Sequence, residues 1–156
     1  MVSDSNQTGE HADVSEALPI SQRPASNAPG HWVLARVGKR VLRPGGLELT
    51  LQMLSNARLT GARVVEFAPG LGRTATEILA ARPASYTGIE KDPVAAKQVA
   101  ELVAARGTVV NADAAETGLD AGSADVVVGE AMLTMQGEKS KKAIISEAVR
   151  LLAPGG

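Results

Sequence analysis

Glu66-Phe67-Ala68-Pro69-Gly70-Leu71-Gly72 lies between a short apolar run, residues 62–68 (ARVVEFA), and a stretch with helical spacing, residues 73–81. Glycines at a strand-to-helix turn let the backbone approach a ligand closely. The start of the helix adds N–H groups that have no partner within it. An ordinary tight turn needs one glycine, so the second makes a ligand loop the sharper reading.

Outward from this turn the same alternation continues. Residues 86–90 (YTGIE), 108–112 (TVVNA) and 124–129 (ADVVVG) read as the second, third and fourth strands. Between them, residues 93–105 form a helix opened by Pro93 at a permissive first-turn position. Residues 139–152 form another, with apolar Ile144, Ile145, Ala148, Val149, Leu151 and Leu152. Upstream, Leu47, Leu51 and Leu54 recur at helical spacing over residues 47–57. Strands separated by helix-length segments imply crossover units and a parallel sheet. The fold class is α/β, a Rossmann-like parallel sheet with flanking helices.

Three stretches follow. Residues 1–29, rich in Ser, Asp, Asn, Gln and Pro, read as a disordered tail. Residues 30–60 read as an N-terminal helical or lid segment. It holds His31 and Trp32, the basic Lys39, Arg40 and Arg43, and the turn Pro44-Gly45-Gly46. Packing is the plainer role for His31 and Trp32, and a solvated face for the three cations. Residues 61–156 form the α/β domain.

Composition limits the function classes. The 156 residues suit one domain, and the 44% apolar share allows a real core. Aromatics are only Trp32, Phe67 and Tyr86, so Val, Leu, Ile and Ala must fill that core, as in parallel sheets buried on both faces. With no cysteine, disulfides, thiolate metal sites and a cysteine nucleophile are excluded. No His/Asp/Glu cluster has metal-ligand spacing. A net charge of −1 gives no basic field for nucleic acid, so no nucleic-acid partner is expected. No apolar run reaches membrane-span length and no signal peptide is visible, so the expected location is cytoplasmic.

Gly70-Leu71-Gly72-Arg73-Thr74-Ala75 fits the dinucleotide pattern G-x-G-x-x-A, and Glu90 stands 18 residues after Gly72. Both features suit an adenosine ribose without choosing the cofactor. Three others favour a cationic one. Glu66 can organise the loop amides and sit near an ammonium, but is a poor neighbour for a pyrophosphate. Asp113, after the third strand, can accept from an adenine amino group. Asp125 opens the fourth strand.

Glu66 to Gly72 resembles the first motif of class I S-adenosylmethionine (SAM)-dependent methyltransferases. Ala112-Asp113-Ala114 resembles their G-D-A. Residues 119–127 (LDAGSADVV) resemble their L-P-x-x-S-F-D-x-V. Glu147, Arg150, Leu152 and Pro154-Gly155-Gly156 resemble their E-x-x-R-v-L-x-P-G-G. Ala68, Ala112 and Ala124 depart from these patterns. The resemblance implies SAM as cofactor; its motifs do not name the methyl acceptor, for which a small molecule is the default expectation. It implies that Glu66, Ala68, Gly70 and Gly72 line the methionyl portion. Glu90, with Lys91 beside it, would hold the ribose hydroxyls, and Asp113 and Ala114 the adenine. Glu130 and Ala131 would stand near the transferring methyl, with Glu130 the one candidate general base.

The family sheet has seven strands ordered 3-2-1-4-5-7-6. The strands read here are the first four, so the fold is expected to be incomplete and the chain a fragment halting before strand five. Strand four would then offer an open edge for self-association. Two other functions remain: an NAD(P)-binding oxidoreductase domain, and a SAM-binding remnant without turnover.

Overall fold

A computed structural model of the chain describes residues 45–156. The expected tail, His31, Trp32, Lys39, Arg40, Arg43 and Pro44 lie outside the described residues. The elements in chain order are α1 (Gly46–Asn56), β1 (Arg63–Phe67), α2 (Arg73–Ala80), β2 (Ser85–Ile89), α3 (Pro93–Val103), β3 (Thr108–Val110), β4 (Val126–Gly129) and α4 (Glu138–Leu151). The strands form one parallel sheet ordered β3-β2-β1-β4. The expected α/β class and the order of the first four strands hold.

Local chemistry fixes the boundaries. Asp92 caps α3 by accepting from the N–H groups of Val94 and Ala95 at 2.9 and 3.0 Å, and Pro93 occupies the first turn. Such a cap contributes about 1 kcal/mol. α3 ends at Val103, short of the expected 105, and a 3-10 turn follows at Ala104–Arg106. β3 ends at Val110, because the Asn111 side chain turns to donate to the carbonyls of Glu90 and Lys91. β4 begins at Val126, because Ala124 bridges to Leu152 instead.

Side chains alternate across the sheet, as the pleat requires. Val64 and Tyr86 face a core shared with Leu54 of α1, Ile78 of α2, and Val99 and Val103 of α3. Val65, Phe67 and Ile89 face a second core built with Ile144 and Leu151 of α4. Layers on both sides explain why β1 is apolar almost throughout.

Two apolar stripes differ from expectation. In α1, Thr50 is buried in place of Leu51, which is 45% exposed. The reason is a carboxylate partner for Thr50, described below. In α4, Ile144 and Leu151 are buried, but Ile145 and Val149 lie exposed on its outer face. β4 pairs only with β1 among the described residues, so its far side is a sheet edge. No helix among the described residues is long and apolar enough to cross a membrane.

Candidate functional site

Strand order reverses between β1 and β4: β2 and β3 extend to one side of β1, and β4 lies on the other. Parallel sheets bind ligands beyond the carboxyl ends of strands at such a switch point. A cavity of about 470 Å³ opens there. Its walls bring together Glu66, Ala68, Gly70, Glu90, Lys91, Asp113, Ala114, Glu130 and Ala131, all singled out in the sequence, and leave out Gly72 and Asp125.

The loop after β1 turns left-handed at every second residue: Ala68, Gly70 and Gly72 have φ of 53°, 58° and 73°. The two glycines serve different purposes. A Cβ on Gly70 would meet nothing nearer than the Ala68 carbonyl at 3.9 Å, so its surroundings are open. A Cβ on Gly72 would overlap the tip of the Leu102 side chain of α3. Gly72 does not line the cavity, and its left-handed φ, with the nearby Leu102 side chain, is what calls for glycine there. Ala131, at the end of β4, is also left-handed, with φ of 55°. Ala68 and Ala131 thus place strained non-glycine backbone on both sides of the crevice.

Glu66 is 2% exposed and accepts from the Tyr86 hydroxyl at 2.7 Å. Burial first, then the Glu66 charge, pushes the Tyr86 phenol far above its usual range, so it remains a donor. Ordering of the loop falls to Glu90, whose Oε2 accepts from the Gly70 N–H at 3.0 Å. Its Oε1 accepts from the Asp92 N–H, also at 3.0 Å. Burial raises the Glu90 pKa, and the Asp92 and Gly70 amides oppose that rise.

Lys91 donates to Asp113 Oδ2 at 2.7 Å, while Asp113 Oδ1 accepts from the Ala115 N–H at 2.9 Å. The Lys91 bond is the main cause of the lowered Asp113 pKa. Across the cavity, Glu130 accepts from Thr50 of α1 at 2.6 Å and from Thr74 of α2 at 2.8 Å.

Two acids of the sequence motifs lie elsewhere. Asp125, expected to help choose the cofactor, stands at the opposite end of the sheet. It accepts there from the Arg63 backbone at 2.8 Å and pairs with the Arg63 guanidinium at 2.6 Å. Its position just before β4 puts it beside the start of β1 rather than the end. Glu147 holds Arg150 at 2.7 Å and receives the Thr117 backbone N–H at 3.0 Å. Arg150 in turn donates to the Leu119 carbonyl at 2.7 Å. The E-x-x-R pattern thus fastens the loop before β4 onto α4.

Sequence reasoning missed Tyr86, Thr50, Thr74 and the segment Met132, Thr134, Met135 and Gln136, which supplies one wall. Thr74 had a signal, being the first hydroxyl after the glycine loop. Tyr86 had another, as the lone tyrosine two residues from Gly88.

A family model described as a methyltransferase domain matches residues 64–156. A relative in Haemophilus influenzae, named only as an uncharacterized protein, is 33% identical over 138 residues, covering 85% of this chain and 55% of the relative. The chain therefore spans about half the length of the curated relative it matches. Among solved structures, the PH0226 protein from Pyrococcus horikoshii is similar with a TM-score of 0.64 and 16% identity, over 70% of this chain and 53% of that one. Magnesium protoporphyrin IX methyltransferase from Synechocystis, solved with bound SAM, is similar with a TM-score of 0.55 and 19% identity, over 67% of this chain and 52% of that one. At these identities the structures show a shared fold.

Proposed function

Since the chain belongs to the methyltransferase-domain family, we propose that it provides the cofactor-binding part of a SAM-dependent methyltransferase acting on a small-molecule acceptor. The observation that supports this most is the charge of the cavity. Three of its carboxylates, Glu66, Glu90 and Glu130, face two cationic side chains that are already paired: Lys91 with Asp113 and Arg73 with Glu77. A net negative, partly buried cavity suits a sulfonium and an ammonium, and opposes a pyrophosphate.

In this reading the residues divide the cofactor among them. Glu66 meets the amino-acid ammonium, and the open backbone at Gly70 lets the methionyl chain lie close. Glu90 accepts from the ribose hydroxyls. Its two backbone donors leave acceptor capacity, because a carboxylate offers about four lone-pair positions. Asp113 and the Ala114 N–H take the adenine edge. Bound SAM supplies an electrophilic methyl group. The protein's task is to orient the acceptor and exclude water. Glu130 serves as a tie rather than a base: its two oxygens already accept from the Thr50 and Thr74 hydroxyls.

Calorimetric titration with S-adenosylhomocysteine, and separately with NADH, tests this reading. Binding of the first that falls in Glu90→Ala and Asp113→Ala is expected. At 100 times its dissociation constant the ligand should raise stability by about 2.7 kcal/mol. A folded chain that binds NADH instead would favour the oxidoreductase alternative.

A further inference from the structure

Tyr86 is built into the fold with more care than a core aromatic needs. It lies on β2 opposite Val64, and the next residue on that face, Gly88, lies opposite Glu66. A ring on Tyr86 reaches Glu66 only by passing over position 88. A Cβ there would stand 3.0 Å from the Tyr86 hydroxyl and 3.3 Å from Pro69. On the other side, a Cβ on Gly107 would stand 2.7 Å from the Tyr86 ring. Neither Gly88 nor Gly107 has the left-handed φ that would otherwise call for glycine. Glycine weakens a strand interior, so such a residue marks close approach by another group. Here that group is the tyrosine, which is 2% exposed and ends on the carboxylate in the cavity wall.

We propose that Tyr86 is a positioning residue for the cofactor, fixing the Glu66 carboxylate where it meets the amino-acid ammonium of SAM. The proposal rests on the SAM reading above. A buried carboxylate is stable as an anion only when donors replace the lost water. The phenol supplies one such donor and sets the direction of the carboxylate. Tyr86 itself does not line the cavity, and its one hydrogen bond to a lining side chain is to Glu66, so its main effect on the ligand runs through that carboxylate. It should therefore depend on whether the ligand carries an ammonium.

Two ligands separate this role from a general structural one. S-adenosylhomocysteine carries the amino-acid group, whereas 5′-deoxy-5′-methylthioadenosine lacks it and keeps adenine, ribose and sulfur. Titrating the full chain with both, Tyr86→Phe should weaken the first about tenfold, as loss of one hydrogen bond to a charged group implies, and leave the second within twofold. Glu66→Gln should show the same selectivity, and adding Tyr86→Phe to it should cost little more. Equal losses for both ligands, or none for either, would overturn the proposal. A wild-type chain binding neither ligand would overturn the SAM reading itself, and the proposal with it.

A second measurement needs no variant of Tyr86. As the only tyrosine in the chain, its ring can be followed in the wild-type fold by nuclear magnetic resonance with labelled tyrosine. The homocysteine ligand should shift that signal and the thioadenosine should not. Identical shifts from both would count against the proposal.

Discussion

Thr50 of α1 gives its hydroxyl to Glu130 across 2.6 Å, although 80 positions separate them. Thr74, in the first turn of α2, reaches the same carboxylate at 2.8 Å. One acid just past β4 therefore ties together the helix that precedes β1 and the helix that follows the glycine loop. Thr50→Val keeps the shape of a fully buried side chain but removes the donor. It should lower stability by about 1 kcal/mol, the net worth of one hydrogen bond, because Glu130 keeps the Thr74 donor. Hydrogen exchange of α1 should speed up more than that of α3. Uniform acceleration across the chain would show that α1 is held by its apolar contacts instead.

The glycine loop makes a paired prediction. Gly72→Ala meets both a left-handed φ and the Leu102 side chain. Leu102 is 46% exposed and can swing away, so the backbone strain dominates, at about 1–2 kcal/mol. Ala68→Gly works the other way. Removing a Cβ at φ of 53° relieves strain of the same size. The added freedom of the unfolded chain takes back about 0.4–1 kcal/mol. Thermal unfolding should show Gly72→Ala clearly less stable and Ala68→Gly equal to or slightly more stable than wild type.

Glu147 gives the fold an acid-sensitive joint. The Arg150 guanidinium, with help from Thr117, holds its carboxyl at about 2, against an ordinary 4.5. A carboxyl depressed by folding stabilises the folded state above its unfolded pKa. That contribution is full above about pH 4.5 and is lost as the pH falls toward 2. Glu147→Gln should cost about 1–2 kcal/mol at pH 7 in urea unfolding, near the low end for bonds to a charged group because Arg150 is partly exposed. The gap between variant and wild type should close as the pH drops from 5 to 2. A gap independent of pH would mean that packing of the side chain matters more than its charge.

The elements were legible in the sequence because each has its own period or punctuation. Gly70 and Gly72 mark a turn, Pro93 opens a helix, and the Val-rich runs leave little choice but buried strands. The carboxylates of the site were legible because they sit at strand ends, which are sequence positions. What the sequence hid are partners brought in from a distance. Nothing near Thr50 announces Glu130, so Leu51 looked the better core residue. Nothing in the apolar run after Asp125 says that this acid faces the start of β1. The twin glycines looked alike, and only the cavity wall separates them, taking in Gly70 and leaving out Gly72.

Lys91 and Asp113 supply the last test. The pair lies at the cavity mouth, with side chains 79% and 44% exposed, and such ion pairs add less than about 1 kcal/mol to stability. Asp113 is also the acid proposed to accept from the adenine amino group, yet its Oδ2 already holds the lysine. A ligand approaching that oxygen must share it or displace Lys91. Lys91→Ala should therefore leave the unfolding midpoint almost unchanged and leave affinity for S-adenosylhomocysteine equal or up to a few times tighter. Asp113→Ala should weaken that affinity about tenfold, the scale of one hydrogen bond to a charged acceptor. If Lys91→Ala weakens binding as much as Asp113→Ala does, the lysine is itself a ligand contact and the carboxylate serves to hold it.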